Sequence, residues 1–326
     1  QVQPIEPVFV DYKKDMSQFE AQPGIDVLYK KNETNDIFTL IYVFNTGTEN
    51  DPALNLAFNY LSYLGTDKMT AEEIASEMYD IACSFYMNAG ANQSSIQITG
   101  LSENMGKAME IVEGLIAGAK PDEAILENLK GDMLKSRADA KLNQSRCFGA
   151  LQRYLFYGGD FIRRTTLTDP ALQALTSEQL LAKIGGLMGK QHEVLYYGPQ
   201  KEAEVKSALA KHHKVAADLQ PLEKKFSTLL PTDANKVVLA QYDAKQLYYL
   251  QFSNRGEKFD VAADPEITLY NEYFGGGMNT IVFQEMREAR GLAYTAWATL
   301  ATPSNANGDY SYYAFIATQN DKMQKA

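Results

Sequence analysis

The sequence is poor in the side chains that most often build a metal site or a catalytic nucleophile. Its 326 residues include only two cysteines and three histidines. Cys83 and Cys147 fit neither a CxxC nor a CxxCH pattern, and two cysteines are too few for a disulfide framework. We expect two buried or partly buried free thiols, with one disulfide as the alternative in an exported protein.

The three histidines, His192, His212 and His213, are also placed unfavourably for metal chemistry. His212 and His213 are adjacent, whereas positions that face one site from a helix are three or four residues apart. We therefore expect solvated histidines at a helix end rather than a zinc site built by this chain. The sequence has no GxSxG elbow and no Cys/His pair with suitable spacing, which argues against covalent catalysis.

Positive charge and long apolar runs are scarce as well. The 31 Lys and Arg residues are outnumbered by 41 Asp and Glu, which gives a net charge of −10. A nucleic acid or an anionic membrane surface requires a basic footprint, so neither is expected as a partner. No apolar run is long enough to span a bilayer, and no signal-peptide pattern is present. Because the chain begins at Gln1, an exported (periplasmic or cell-envelope) location stays open beside a cytoplasmic one.

The hydrophobic content of 45% is typical of a globular protein. Segments 26–30 and 37–45 are rich in β-branched and aromatic residues and are predicted to be paired strands. Two further strands, 83–89 and 94–101, flank a polar turn. Helices are predicted from apolar periodicity and capping signals after Asp51-Pro52, from Thr70, over 105–118, from Pro121 beyond residue 140, and over 177–188 and 200–212, with a strand at 193–197.

The grouping of these elements favours an α+β fold, with helices packed on one face of an antiparallel sheet. The segment KQLYYLQFSNRG (245–256) parallels DIFTLIYVFNTG (36–47), and 267–277 parallels 56–66 in the same order. We therefore predict a duplicated fold with an incomplete second copy. The expected organisation is a first domain over 1–215, a polar linker with two prolines over 216–235, and the start of a homologous domain over 236–326.

The second copy contains the most distinctive segment, YFGGGMNTIVFQEMREARGLAYTAW (273–297). Its glycines match no phosphate-loop pattern and predict a tight turn with left-handed glycines. A helix is expected from about Thr280 to Arg290, ending at Gly291 and followed by a strand that carries Tyr294. Arg287 precedes Tyr294 by seven residues, so both can reach the same helix-to-strand corner. Both are hydrogen-bond donors suited to a peptide carbonyl.

The run YFGGGMNTIVFQEMREARGLAY resembles the signature of pitrilysin/insulinase-type zinc metallopeptidases (inverzincins), and the resemblance extends over essentially the whole chain. In that family an Arg and a Tyr at this spacing, in the domain opposite the zinc, contact the substrate carbonyl. Arg287 and Tyr294 match these positions, so the resemblance implies that they stabilise and position a peptide.

The first copy departs from the family pattern at the metal. Active members carry HxxEH, two zinc ligands and a glutamate base, on the helix that ends in Gly-Thr. Counting back from Gly65-Thr66 places Leu56, Asn59 and Tyr60 at the His, Glu and His positions. The further glutamate ligand falls near residues 130–137, where the sequence offers mainly cations. No catalytic or metal residue is therefore expected in this chain.

By resemblance, the chain would be the non-catalytic C-terminal part of a zinc-dependent metalloendopeptidase, a third domain and part of a fourth. Its expected partners are a peptide substrate and an N-terminal catalytic half or a sister subunit, which would hold the zinc. Two alternatives remain: a catalytically dead scaffold or partner subunit of the same family, and a free-standing peptide-binding module.

Overall fold

The computed structural model describes residues 9–222 and 227–326, and these residues form two compact units. The first unit comprises residues 9–135 and 164–222, and the second comprises residues 136–163 and 227–326. Nothing in the sequence indicates that residues 136–163 group with the second unit. The domain boundaries at 215 and 236 stay a prediction, and part of the proposed linker (223–226, including Lys224-Lys225) lies outside the described residues.

The first unit contains a six-stranded sheet in the order β1-β2-β6-β3-β5-β4. Its strands are β1 (Ser17–Gln22), β2 (Ile25–Lys31), β3 (Ile37–Phe44), β4 (Cys83–Ala89), β5 (Ser94–Leu101) and β6 (His192–Gly198). Neighbouring strands are antiparallel except β2 and β6, which are parallel. The α+β prediction is confirmed, although the sheet is mixed rather than purely antiparallel.

One strand pairing was predicted wrongly. Segments 26–30 and 37–45 are strands but do not pair, because β6 lies between them. β6 pairs with β2 along Ile25–Lys31 and with β3 along Thr39–Val43. Strand β6 comes from about 150 residues further along the chain. The short turn between β2 and β3 therefore contains no local signal that another strand lies between them.

The helices largely follow the predicted periodicity. They are α1 (Leu54–Leu61), α2 (Ala71–Asp80), α3 (Met105–Gly118), α4 (Glu123–Lys141), α5 (Gln144–Thr165), α6 (Asp169–Ala174), α7 (Ser177–Met188) and α8 (Glu202–His212). The capping box of α2 is formed as expected, with Thr70 and Glu73 bonding each other's backbone N–H. Strand β1 and helices α5 and α6 were missed. Gly158, with a φ of 80°, interrupts α5.

The core of the first unit lies on one face of the sheet. In β3 the residues Phe38, Leu40, Tyr42 and Phe44 are buried and alternate with more exposed ones, as expected for a strand covered on one side. The buried face packs into one cluster with apolar residues of α1, α2, α3, α7 and α8.

The histidines are not solvated, which corrects the prediction from their spacing. His192 is 4% exposed and His213 is 6% exposed. Their Nε2 atoms lie 2.9 Å apart, and His213 Nδ1 lies 2.6 Å from the carboxylate of Glu113. His192 Nδ1 donates to the carbonyl of Lys190 at 2.8 Å, because a carbonyl can only accept. His192 Nε2 then accepts a hydrogen bond from Nε2 of His213, whose Nδ1 in turn bonds to Glu113.

The second unit repeats part of the first. Its three-stranded antiparallel sheet consists of β7 (Gln246–Ser253), β8 (Ala293–Ala301) and β9 (Ser311–Gln319) in the order β7-β9-β8. Helix α9 (Asp264–Phe274) follows β7, as α1 follows β3. The order β7-β9-β8 corresponds to β3-β5-β4 of the first sheet. One face of the second sheet packs on α5 through Phe148 and Phe156.

The buried histidine pair predicts a loss of stability in acid. Burial lowers the pKa of His192 to about 4, from an ordinary value of 6.5. Between pH 7 and pH 5 the imidazole of His192 gains a proton in the unfolded chain but not in the folded chain. The free energy of unfolding should therefore fall by about 2 kcal/mol because of this group. Urea unfolding of the wild type and of His192→Gln at both pH values measures this change. Glutamine is chosen because its amide oxygen can still accept from His213 but does not titrate. An equal loss of stability in both proteins would show that His192 is not the cause.

Candidate functional site

The candidate site is built by the segment that joins α9 to β8. After α9 comes a loop through Gly275–Gly277, and Thr280 then caps the next helix by accepting from the N–H of Phe283. This helix begins as α10 (Ile281–Phe283), widens into a π-helical turn over Gln284–Ala289 and ends before Gly291, whose φ is +56°. The predicted end at Gly291 is confirmed. The helix expected from about Thr280 to Arg290 is confirmed as well, and it contains a π-helical turn, a feature often found at functional sites.

Two glycines of the loop, Gly275 and Gly276, are required for close approach, and none of the three is required for a left-handed backbone. None of Gly275, Gly276 and Gly277 has a positive φ, so the predicted left-handed turn is wrong. A Cβ on Gly275 would clash with the backbone of Ala298 in β8, and one on Gly276 would lie 2.8 Å from the carbonyl of Asn271. The N–H of Ala298 donates to the carbonyl of Gly275 at 3.2 Å. The loop is therefore fixed directly against the strand.

Arg287 and Tyr294 come together, as the sequence predicted. The guanidinium carbon of Arg287 lies 4.5 Å from the centre of the Tyr294 ring and 4.9 Å from the centre of the Phe283 ring. Both distances are within the range of cation–π contacts, which favour a fixed position of the cation. The Arg287 side chain is 36% exposed, and its Nε lies 3.5 Å from a carboxylate oxygen of Glu288. Contacts with two rings restrict the position of the guanidinium.

Tyr294 is presented to the surface by an irregularity in its strand. The register between β8 and β9 shifts between Ala293 and Thr295, so Tyr294 has no partner residue on β9. Such bulges redirect side chains and are frequent beside functional sites. Tyr294 is 71% exposed, and among the described residues no hydrogen-bond partner of its hydroxyl is found. The phenol is therefore open to a ligand.

A shallow cavity of about 250 Å³ lies where these elements meet. It is lined by Gly275, Gly276, Gly277, Met278, Phe283, Arg287, Tyr294, Thr295, Ala296 and Trp297. The wall is mostly apolar or backbone, while the guanidinium and the phenol supply the donors. Such a cavity can accept an apolar side chain and hydrogen-bond an adjacent carbonyl.

The positions that correspond to HxxEH serve packing in this chain. Leu56 and Tyr60 on α1 are 2% and 0% exposed, whereas Asn59 lies on the exposed side of the helix. The hydroxyl of Tyr60 accepts from the N–H of Asp122 at 2.7 Å and lies 2.7 Å from Oγ of the buried Ser177. These residues do not fit a zinc ion, since a leucine and a hydrogen-bonded tyrosine replace both histidines.

Near residues 130–137, where the further glutamate ligand was expected, the buried side chain is a lysine. Lys130 is 5% exposed, and its ammonium group contacts Glu127 at 2.7 Å and the carbonyl of Gln173 at 3.2 Å. Within residues 9–222 and 227–326, no group of three or more His, Cys, Asp and Glu side chains is arranged to hold a metal. In the same residues no helix is both long and apolar enough to cross a membrane.

Comparison with known proteins identifies relatives of this chain: residues 190–326 match the model of the "Peptidase M16 inactive domain". An uncharacterized zinc protease of Streptomyces coelicolor is 22% identical over 266 residues, which cover 76% of this chain and 56% of that protein. One of Rickettsia bellii is 23% identical over 326 residues, covering 96% of this chain and 76% of that protein.

Solved structures show the same fold. The peptidase M16 inactive domain of Pseudomonas fluorescens superposes with a TM-score of 0.73 at 16% identity, covering 95% of this chain and 76% of that one. The periplasmic protease PqqL of Escherichia coli gives a TM-score of 0.76 at 13% identity, covering 96% of this chain and 35% of that one. Residues 190–326 thus match an inactive domain of the M16 peptidases, and the chain is homologous to uncharacterized zinc proteases, which confirms the resemblance found in the sequence.

The hydroxyl of Tyr60 predicts a measurable stability effect. Tyr60→Phe leaves the N–H of Asp122 and the hydroxyl of the buried Ser177 without this partner, so the free energy of unfolding should fall by about 2 kcal/mol. Chemical denaturation measures the change. Tyr63→Phe is the matched control, because Tyr63 follows the same helix and is 54% exposed; its stability should stay within about 0.5 kcal/mol of the wild type. Equal effects of the two substitutions would contradict a structural role for the Tyr60 hydroxyl.

Proposed function

We propose that this chain is the non-catalytic part of a zinc-dependent metalloendopeptidase and that it contributes a peptide-binding surface to the enzyme. The observation that carries the proposal is the convergence of Arg287 and Tyr294 at the cavity between the glycine loop and β8. The zinc protease relatives support a metal in a catalytic part outside these residues. Residues 56, 59 and 60 do not supply it.

The proposed role of the pair is to grip a peptide carbonyl. The guanidinium of Arg287 is a planar donor group that stays charged at all relevant pH values, and its position is restricted by Phe283 and Tyr294. The Tyr294 hydroxyl adds a second donor from the exposed end of the ring. Donors fixed before the substrate arrives can stabilise charge on a carbonyl oxygen without a reorganisation cost. A bound peptide would thereby be held in one orientation towards the catalytic part.

The shape and charge of the site fit a peptide better than other ligands. The cavity wall of Met278, Phe283 and Trp297 offers apolar surface for one side chain. The acidic sequence makes a nucleic acid an unfavourable partner. The expected partners are thus a peptide substrate and a catalytic half, either in the same polypeptide or in a sister subunit.

A catalytically dead scaffold or partner subunit is the second candidate. It is supported by the packing role of Tyr60, a position that the resemblance aligns with a histidine of the metal motif. The two candidates differ in whether the partner carries zinc, whereas a free-standing peptide-binding module would need no catalytic partner. Peptide binding by Arg287 and Tyr294 is common to the enzyme and module proposals.

Peptide affinity tests the proposed contact of Arg287 and Tyr294 with a peptide carbonyl. With a fluorescein-labelled peptide and anisotropy as the readout, Arg287→Ala should raise the Kd about tenfold or more, since a charge-assisted hydrogen bond is lost. Tyr294→Phe removes one neutral donor, so the Kd should rise by roughly three- to tenfold. Arg287→Lys should recover only part of the affinity, because an ammonium lacks the planar fork.

Arg290→Ala is the matched control. Arg290 lies at the end of the same helix and is 61% exposed, and its Nε forms an ion pair with Glu285 at 3.4 Å. The variant should bind peptide with the affinity of the wild type. Equal weakening by Arg290→Ala and Arg287→Ala would indicate general attraction by positive charge, and unchanged affinity in Arg287→Ala would refute the proposed contact.

A further inference from the structure

A buried group of titratable side chains in the first unit takes no part in the proposed peptide contact. This group, the histidine network, consists of His192 at the start of β6, Glu113 on α3, and His213, the residue after α8. The side chains of His213 and Glu113 are 2% and 10% exposed. Aromatic rings enclose both imidazoles: the Tyr42 ring centre lies 4.2 Å from that of His213, and the Phe44 ring centre lies 4.7 Å from that of His192. Water therefore has little access to the network.

The positions of the protons make the bond between the two histidines sensitive to acid. Nδ1–H of His192 donates to the carbonyl of Lys190, so Nε2 of His192 is bare and accepts from Nε2–H of His213. Nδ1 of His213 and the carboxylate of Glu113 lie 2.6 Å apart and share a third proton, because two bare lone pairs would repel each other at that distance. A proton added to Nε2 of His192 would face the N–H of His213 at 2.9 Å. Protonation of His192 therefore breaks this bond.

The network holds down the segment that follows α8. Residues 213–222, the strap, are fixed at their start by His213 and near their end by Leu219 and Gln220. Leu219 is 7% exposed and packs in the core, and the backbone of Gln220 forms two bonds with residues 189–191, at 2.9 and 3.0 Å. Between these attachments, residues 214 and 216–218 are exposed. Both attachments act on the stretch 189–192, so loss of the first weakens the second.

The groups that face His192 come from four elements: Ile25 from β2, Tyr42 from β3, Glu113 from α3, and His212 and His213 from the end of α8. Burial, and then the Glu113 carboxylate, hold the pKa of Tyr42 well above its ordinary value, so this phenol stays neutral. The carboxylate of Glu113 is paired with His213, and His212 pairs with Glu110 at 3.1 Å. Glu193, next to His192 on β6, points to the opposite face of the sheet.

We propose that the histidine network is an acid-sensitive clasp, which releases the strap from the body of the first unit when His192 gains a proton. In the closed state the imidazole of His192 is buried and neutral. In the open state water solvates this ring, which then takes up a proton. Acid favours the open state because that state binds the additional proton. The strap ends at the last described residue before the second unit resumes at residue 227, so its release lengthens the unattached part of this connection.

The size of the response follows from the difference in proton affinity between the two states. Burial lowers the pKa of His192 to about 4, from an ordinary value of 6.5. Between pH 7 and pH 5 the open state therefore gains a proton and the closed state does not. The ratio of open to closed molecules rises by up to about twentyfold over this range.

Hydrogen exchange of the full chain at pH 7 and pH 5, with each rate divided by the intrinsic rate at that pH, tests the proposal. The amides of Gln191 and Gln220 report on the strap, because they form its two backbone bonds. Their protection should fall by about five- to twentyfold at pH 5. Strand β5 should stay more protected than the strap by about tenfold or more at both pH values, as expected when the strap opens without unfolding of the unit.

Two variants assign the response to the network. His192→Gln keeps an acceptor for His213 but does not titrate, so the change in strap protection between the two pH values should shrink to less than about twofold. His212→Gln is the matched control, because His212 is adjacent to His213 but pairs with Glu110 outside the network. This variant should respond to pH as the wild type does.

The outcomes separate a local clasp from other effects. Unchanged strap protection in the wild type, or a full response in His192→Gln, would overturn the proposal. Equal protection of the strap and β5 would also overturn it, since the strap would then open only with the whole unit. A response lost in His212→Gln as well would place its cause outside the network and would count against the proposal. If His192→Gln fails to fold, an NMR titration of the wild-type imidazoles decides: a His192 ring that titrates near pH 6.5 in the folded chain refutes the clasp, and one that stays neutral down to pH 5 supports it.

Discussion

The contact between the backbone of Gly275 and that of Ala298 is the constraint on which the candidate site depends. Only glycine allows the loop after α9 to lie directly on β8, where the Ala298 N–H donates to the Gly275 carbonyl. The next helix starts five residues later from the Thr280 cap. Its π-helical turn places Arg287 over Tyr294, which emerges from the bulge of that same strand. The loop, the helix and the strand thus together position the Arg287 guanidinium and the Tyr294 hydroxyl.

In the first unit, Tyr60 has a structural role. It occupies the position that the sequence resemblance aligns with a zinc-binding histidine, and its hydroxyl joins the start of α4 to the start of α7. A phenol that is fully buried needs such partners, because an unpaired polar group is costly in the core. The Tyr60 hydroxyl has two such partners, and a histidine at this position would lack them.

Local features were predictable from the sequence, and long-range ones were not. The capping box at Thr70, the alternation in β3 and the helix end at Gly291 follow from short patterns, as does the meeting of Arg287 and Tyr294 seven residues apart. The place of β6 between β2 and β3 depends on a contact between distant residues. The burial of His192 and His213 depends on Glu113, which is 100 residues away from His213. Residue propensity gives no signal for the π-helical turn over Gln284–Ala289.

The central claim is that the chain serves a zinc peptidase without holding its zinc. The direct measurement is zinc content and cleavage of a fluorogenic peptide, for this chain alone and mixed with a candidate catalytic partner that carries HxxEH. The account predicts that the chain alone is zinc-free and silent, and that the mixture cleaves and slows when the chain carries Arg287→Ala. Stoichiometric zinc and cleavage by the chain alone would contradict it.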